Sequence, residues 1–186
     1  MNSPIPITSN NGDTYFHLEP LISGVSLMDF SCPVQEYNDY LTQDALRSRD
    51  DHIALTWLLY DLSTGGIIAY MSIINDAIKL SVSEKELHNL HYPFKTIPAM
   101  KIAKLAVSQS FSKTYKGIGS FMIDSARGLA IDCNTDYSAC RFLTVDADIE
   151  NNASILRFYE KNGFILNSEM NNKNRKTISM RKDIFA

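Results

Sequence analysis

Hydrophobic residues change their spacing between the two halves of the chain. In the first half, near-continuous runs rich in β-branched and aromatic residues predict strands at 15–21, 52–60 and 66–74. The last two flank the turn segment 61–65, which carries a glycine, and so predict an antiparallel hairpin. Helical spacing predicts a helix over 33–46 and a short one over 84–90. Pro93 and Pro98 are expected to interrupt regular structure nearby.

The second half is organised in strand–helix units. A strand at 102–107 precedes a polar loop at 108–116 and a helix that starts at Gly117. Further predicted elements follow in order: a strand at 141–145, a helix at 152–161 ending at Asn162-Gly163, and strands at 164–166 and 176–181. This order predicts a mixed α/β (α+β) domain, with a twisted sheet that is partly antiparallel and partly parallel, flanked by helices. Residues 1–13 are expected to be a flexible tail and 14–186 a single domain.

Composition and charge narrow the functional classes. Apolar residues make up 45% of the 186 residues and charged residues 21%, which is typical of an ordered globular protein. The net charge of -3 argues against a dedicated nucleic-acid binder. Residues 101–127 are an exception inside this acidic chain. Their five basic residues, against one acidic residue, are Lys101, Lys104, Lys113, Lys116 and Arg127.

Sequence features argue against disulfide, metal and membrane functions. The three cysteines lack CxxC spacing, and the four histidines lack metal-ligand spacing. Neither a secretory signal nor a membrane-spanning apolar run is evident, so a cytoplasmic protein without membrane or metal is expected.

A glycine-containing junction between loop and helix is the first candidate binding motif. Its residues are Lys113, Thr114, Tyr115, Lys116, Gly117, Ile118, Gly119 and Ser120. Unpaired N–H groups at a helix start carry partial positive charge and bind phosphate, and two lysines add full charges. The alternative interpretation is a flexible turn with solvated lysines. The pattern fits neither a Walker loop nor a dinucleotide-binding fingerprint.

A second motif runs from Asn152 to Phe164. Together with the junction at 113–120, it resembles the motifs of the GNAT superfamily of acetyl-CoA-dependent N-acetyltransferases. Members of that family have a Gln/Arg-x-x-Gly-x-Gly/Ala loop opening a helix, then a helix that begins near Asn and ends in Tyr-x-x-x-Gly-Phe. The residues that match are Asn152, Tyr159, Gly163 and Phe164 in the second motif and Gly117 and Gly119 in the loop. Thr114 stands at the Gln/Arg position, Ile155 replaces the usual alanine, and the loop is longer than usual.

This resemblance implies a binding site and a reaction. Acetyl-CoA is the implied co-substrate, and the acceptor is a primary amine that attacks directly in a ternary complex. Leu105, Ala106 and Val107 would meet the pantetheine arm and the thioester, with the N–H of Ala106 or Val107 stabilising the oxyanion. Residues 113–120 and Asn152 complete the implied cofactor site. Tyr159 is the implied general acid for the CoA thiolate, as against an ordinary core tyrosine.

A narrower resemblance is to the toxin-type GNAT acetyltransferases of toxin–antitoxin pairs. It rests on Phe30, Cys32 and the segment 37–41, and on Ile97-Pro98 followed by 104–107, with Ser108 where that group has Asp. These toxins acetylate the amino group of aminoacyl-tRNA. This leaves open an aminoacyl-tRNA acceptor, an antitoxin partner or a homodimer. A non-catalytic acyl-CoA-binding regulatory domain is the other alternative.

Two questions stay open at the sequence level. The general base is not identified, although Asp146, Asp148, Glu150 and His91 are conceivable. A basic C-terminal cluster is either a solvated hairpin, which is the favoured interpretation, or a surface for tRNA. Its members are Lys173, Arg175, Lys176, Arg181 and Lys182.

Overall fold

The computed structural model describes residues 5–8, 14–168 and 176–186. The strands are β1 Ile5–Thr8, β2 Thr14–Pro20, β3 Leu55–Asp61, β4 Ile67–Ile78, β5 Ile97–Val107, β6 Phe142–Asp148, β7 Ile165–Leu166 and β8 Thr177–Asp183. The α-helices are α1 Gln35–Asp39, α2 Ala45–Asp50, α3 Val82–Leu87, α4 Gln109–Ser112, α5 Ile118–Asp136 and α6 Ile155–Lys161. A π-helical turn, Tyr40–Asp44, joins α1 to α2.

The predicted mixed sheet is confirmed. Its strand order is β1-β2-β3-β4-β5-β6-β8-β7. Strands β3 and β4 form the predicted antiparallel hairpin, in which Leu55 lies opposite Ile73. Strands β5 and β6 run parallel, with Ala99–Ile102 opposite Phe142–Val145. A parallel pair needs a crossover connection, which α5 supplies here.

The described residues fall into two compact units. The first takes in the described residues up to Ile74 together with Ala103–Ile123, and the second takes in Asn75–Ile102 and Asp124–Ala186. Strands β4 and β5 therefore each contribute residues to both units. The interpretation of 14–186 as a single domain stays a prediction.

The core of the first unit packs strands against α1 and α2. Its buried cluster comprises Leu21, Phe30, Cys32, Leu41, Ala45, Leu58, Ile67, Tyr70 and Ala106. The Asn38 amide donates to the Cys32 carbonyl over 3.0 Å, and its oxygen accepts from the Cys32 N–H at 2.8 Å. Phe30, Cys32 and Leu41, which carried the toxin-type resemblance, thus have a packing role in this fold.

The second unit encloses an ion pair. Arg181 is 1% exposed, and its Nη1 donates to Glu84 Oε1 at 2.8 Å and to Asn167 Oδ1 at 2.9 Å. Burial alone would raise the pKa of Glu84. Hydrogen bonds from the N–H groups of Ser81 and Ser168, together with the Arg181 charge, lower it to about 2. The basic C-terminal cluster is therefore not a solvated hairpin throughout, since Arg181 is buried and neutralised. Lys173 and Arg175 lie outside the described residues.

Several predicted boundaries were wrong. Residues 5–8 of the expected flexible tail form β1, which pairs antiparallel with β2; the rest of 1–13 lies outside the described residues. Pro98 is the second residue of β5 and does not interrupt it, because a proline at a strand start loses little ladder bonding. The predicted loop 108–116 contains the short helix α4. The last predicted helix begins at Ile155 and not at Asn152.

We expect Arg181→Met to lower the free energy of unfolding by about 3–5 kcal/mol, because it leaves the Glu84 carboxylate buried without its cation. Urea unfolding measures this change. Arg47→Met is the matched control, since Arg47 pairs with Asp51 at 3.6 Å on the surface and its side chain is 79% exposed; its effect should stay within about 0.5 kcal/mol. An equal effect of the two substitutions would contradict a buried, structure-determining role for Arg181.

Candidate functional site

A helix start in the first unit forms the candidate anion site. The chain leaves α4, turns, and enters α5 at Ile118 with Gly117 at a φ of +78°. A side chain would strain this left-handed conformation, which explains the glycine. In a helix of 19 residues, the first N–H groups have no partner within the helix and point outward from its start. Gly117 is exposed, so a ligand can approach these groups.

Lys113 and Lys116 lie on the exposed surface of this turn. The Lys116 ammonium donates to the Ser112 carbonyl at 3.1 Å, which holds it over the end of α4. Thr114 is exposed, and its N–H donates to the Phe111 carbonyl at 3.1 Å. The segment 113–120, which we call the lysine loop, therefore brings two cations and a helix N-terminus together within one unit.

The lysine loop is attached to the β3–β4 hairpin. The Tyr115 hydroxyl donates to Asp61 Oδ2 at 2.7 Å. Asp61 is 2% exposed, and its other oxygen accepts from the N–H and the hydroxyl of Ser63 at 2.7 and 2.6 Å. Burial alone would raise the pKa of Asp61, but these hydrogen bonds lower it below its usual value. The bond to Asp61 in turn raises the pKa of Tyr115.

Aromatic contacts add to this attachment. The Tyr115 ring meets the edge of Phe16 at 4.9 Å between centroids and stacks on Phe111 at 6.1 Å. Phe111 in turn lies on Gly66 of the hairpin, where an added Cβ would approach the ring to 2.7 Å. Asp61, Phe111 and Gly66 were not singled out from the sequence. Asp61 lay in the predicted turn and Gly66 at the start of the predicted strand 66–74, but nothing indicated that Asp61 is in contact with a residue 54 positions away.

The end of β5 lies directly before α4. Ala106 is buried in the core cluster of the first unit, while Leu105 and Val107 on either side are partly exposed. The next residue, Ser108, donates its N–H to the Ile68 carbonyl at 2.8 Å, which holds the strand end against β4. At the end of β5, Ala106 therefore faces the core while Leu105 and Val107 keep part of their surface exposed.

Three of the five cations in the basic segment 101–127 are held by contacts away from the lysine loop. Lys101 is paired with Asp146 at 2.6 Å, and Lys104 with Glu36. The Lys104 ammonium also lies 4.6 Å from the centre of the Tyr37 ring. Arg127 donates to the Ile184 carbonyl at 2.7 Å. These contacts leave Lys113 and Lys116 as the cations on the lysine loop.

The second unit carries Tyr159 on α6. Its ring lies between Phe158 at 5.1 Å and Phe164 at 5.3 Å, and it is 8% exposed. Burial, reinforced by the charge of Asp148, raises the pKa of Tyr159 to about 12. The phenol therefore keeps its proton throughout the physiological pH range. The predicted C-cap is confirmed, since Gly163 has a φ of +82° and Phe164 donates its N–H to the Tyr159 carbonyl.

Asn152 lies on the exposed approach to α6. Its side-chain oxygen accepts from the N–H of Ser154 at 3.0 Å and from the Ser154 hydroxyl at 2.7 Å. This is an Asx turn that prepares the helix start. The observed role is therefore structural, and cofactor contact by Asn152 stays a prediction.

The conceivable bases have varied environments within the second unit. Asp146 is paired with Lys101 and Glu150 with Lys176, at 2.6 and 2.9 Å. Asp148 accepts from the side-chain amide of Asn151 at 2.7 Å, and His91 is exposed. None of these contacts singles out a base.

Cysteine and metal chemistry find little support in the described part of the chain. Cys32, Cys133 and Cys140 are free thiols. Burial raises the pKa of Cys32, and raises that of Cys140 to about 11, which disfavours the nucleophilic thiolate. No group of three His, Cys, Asp or Glu side chains in residues 5–8, 14–168 and 176–186 is placed to hold a metal ion. No helix within those ranges is long and apolar enough to cross a membrane.

Comparisons with known proteins identify the fold. No protein-family model matches the sequence, and the search of curated proteins found no match. Among solved structures, AtaT complexed with acetyl-methionyl-tRNAfMet is 18% identical, with 90% of this chain and 94% of that chain covered and a TM-score of 0.74. A complex of AtaTR with AcCoA is 19% identical, with coverages of 90% and 94% and a TM-score of 0.69. A bacterial toxin is 15% identical, with coverages of 97% and 93% and a TM-score of 0.75. The GNAT fold predicted from the motifs is thus confirmed.

Proposed function

We propose that this protein transfers the acetyl group of acetyl-CoA to a primary amine. The observation that carries the proposal is the lysine loop. There, Lys113 and Lys116 precede Gly117 and the N-terminus of helix α5. A diphosphate is the anion that suits two cations and a row of outward N–H groups. The likeness to a fold that has been solved with AcCoA supports CoA as the source of that diphosphate.

The cofactor contacts follow the chain from β5 into α5. The backbone of Leu105, Ala106 and Val107 pairs with the pantetheine arm, and the N–H of Ala106 or Val107 donates to the thioester oxygen. That donor stabilises the negative charge which develops when the carbonyl is attacked. Residues 113–120 hold the diphosphate, and Asn152 is a further cofactor contact. A non-catalytic acyl-CoA-binding domain is the alternative to an enzyme.

The reaction is a direct transfer. The amine nitrogen attacks the thioester carbon and the C–S bond breaks. Because the amine attacks the thioester directly, no covalent enzyme intermediate is needed. The proton that leaves the amine reaches the CoA sulfur through solvent. Tyr159 acts on the leaving group. With a pKa of about 12, against about 8.5 for an ordinary thiol, the phenol loses its proton less readily than a thiol does. It therefore donates a hydrogen bond to the departing thiolate and retains its proton, and we propose this role in place of the general acid that the resemblance implies.

The amino group of an aminoacyl-tRNA is one candidate acceptor. AtaT, which shares the fold, was solved with acetyl-methionyl-tRNAfMet. Such an activity would also suit control by an antitoxin, as in the complex of AtaT with the C-terminus of AtaR. Against it stands the acidic net charge of -3, together with the burial of Arg181. A small amine or a peptide amine is the other candidate.

We expect Lys116→Glu to weaken acetyl-CoA binding by about tenfold, because one attraction to the diphosphate becomes a repulsion. Calorimetry at two salt concentrations measures the affinity, and the difference from wild type should shrink at high salt. The matched control is Arg47→Glu, which changes the net charge equally at an exposed position of α2 and should bind like the wild type. A wild-type protein that fails to bind acetyl-CoA would refute the proposed function.

We expect Tyr159→Phe to bind acetyl-CoA with wild-type affinity but to lower kcat by about a hundredfold or more, because the leaving thiolate loses its hydrogen bond. Steady-state kinetics with free-thiol detection separate the two effects. Since the pKa of Tyr159 is about 12, ionisation of this phenol should produce no fall in the wild-type rate between pH 7 and 10. Phe158→Leu tests ring packing without removing a hydroxyl. An unchanged kcat in Tyr159→Phe would remove Tyr159 from the mechanism.

We expect labelled acetyl groups to appear on a primary amine when the protein is screened with acetyl-CoA against small amines, peptides and charged tRNA. Uncharged tRNA is the control for the last of these, because it lacks the aminoacyl amine. Labelling of charged tRNA alone would identify the toxin-like activity. Binding of acetyl-CoA without transfer to any of the three classes would favour the non-catalytic alternative.

A further inference from the structure

The lysine loop has an anchor outside itself. Tyr115 directly precedes Lys116 and Gly117, where the chain turns into α5. Its hydroxyl is bonded to Asp61 at 2.7 Å, and Asp61 belongs to the turn of the β3–β4 hairpin. The path of the chain into α5 is therefore fixed by a residue 54 positions away.

Asp61 offers Tyr115 a hydrogen-bond acceptor that is already ordered. Its carboxylate is 2% exposed and accepts from both donors of Ser63 and from the N–H of Thr64. The turn thus holds the Asp61 carboxylate in place independently of Tyr115. Because the carboxylate is already ordered, forming the bond to Tyr115 costs little conformational entropy on the Asp61 side. The free energy of the bond is then available to order the tyrosine.

The rest of the contact restricts the same tyrosine. Phe16 and Phe111 hold the ring, and Phe111 occupies the space that Gly66 leaves without a Cβ. By contrast, Lys113, Thr114 and Lys116 are exposed. Residues 113–117 are therefore a mostly solvent-facing stretch in which the side chain of Tyr115 makes the contact with the hairpin. Ile118, at the start of α5, is buried.

We infer that Asp61 and Tyr115 are positioning residues that hold the lysine loop in the conformation which binds the diphosphate of CoA. This inference rests on the proposed function. In this scheme Asp61 and the Tyr115 hydroxyl act through Lys116 and the N–H groups at the start of α5, which meet the diphosphate. When a fraction of the protein has the loop in a competent state, apparent affinity scales with that fraction. Loss of the anchor should thus weaken diphosphate binding while the chemistry stays intact.

The experiment compares two ligands on four proteins: wild type, Tyr115→Phe, Asp61→Asn and the control Ser72→Ala. Ser72 shares a buried 2.7 Å hydroxyl contact with Thr56 in the first unit and is remote in sequence from the lysine loop. Acetyl-CoA contains the diphosphate and acetyl-pantetheine lacks it. Calorimetry gives each affinity, and thermal unfolding reports stability separately.

We expect Tyr115→Phe to weaken acetyl-CoA binding about three- to tenfold, as a fall in the competent fraction would. Its affinity for acetyl-pantetheine should remain that of the wild type, and kcat at saturating acetyl-CoA should be unchanged while KM rises. Amide exchange of residues 112–117 in the free protein should accelerate in Tyr115→Phe and Asp61→Asn, and stay unchanged in Ser72→Ala. This pattern differs from that of general destabilisation, which would weaken both ligands.

Three outcomes overturn the inference in different ways. If the wild type binds acetyl-CoA and Tyr115→Phe binds it equally well, the positioning role is wrong while the proposed function stands. If both ligands weaken in parallel in Tyr115→Phe, the contact serves stability alone. If the wild type binds no acetyl-CoA, the proposed function fails first and the inference falls with it. If Asp61→Asn fails to fold, Tyr115→Phe still decides, because it removes one hydroxyl and keeps both rings in contact.

Discussion

Each compact unit of this protein takes a charged group out of water, and the pairing of that group fixes the surrounding chain. A buried charge is costly unless hydrogen bonds or an opposite charge satisfy it. Asp61 meets this requirement in the first unit through a turn and a tyrosine. Arg181 meets it in the second through Glu84, Asn167 and the Leu166 carbonyl. Both charges are therefore satisfied inside the unit that buries them.

Burial also sets the environments of the candidate functional residues in the two units. Tyr159 is enclosed by aromatic rings, and its phenol stays protonated because burial raises its pKa. The lysine loop has the opposite environment, since its ammonium groups stay in solvent while its attachment is buried. A hydrogen-bond donor benefits from a dry setting, where each bond is stronger. A cation that binds an anionic ligand benefits from exposure, because the ligand must be able to approach it.

The sequence predicted the elements that local signals specify, and it missed those that depend on partners distant along the chain. The hairpin around residues 61–65 and the helix end at Gly163 follow from turn and cap chemistry, and both were correct. Pro98 was misjudged because its position at the start of a strand matters more than its intrinsic preference. Strand β1 was missed because a segment of four residues gains order only from pairing with β2. No local pattern indicates that Tyr115 reaches Asp61, or that Arg181 is buried.

The charge of the segment 101–127 shows why a count along the chain is a poor guide to a binding surface. Five basic residues lie there, yet two of them are paired with Asp146 and Glu36, and two others, Arg127 and Lys116, each donate to a backbone carbonyl. A long polyanion is bound through many phosphate contacts in a row, and the lysine loop offers only Lys113 and Lys116. Two cations beside one helix N-terminus suit a compact diphosphate far better. Any recognition of a tRNA acceptor would therefore come from surfaces other than the lysine loop, which we propose to bind the diphosphate of CoA.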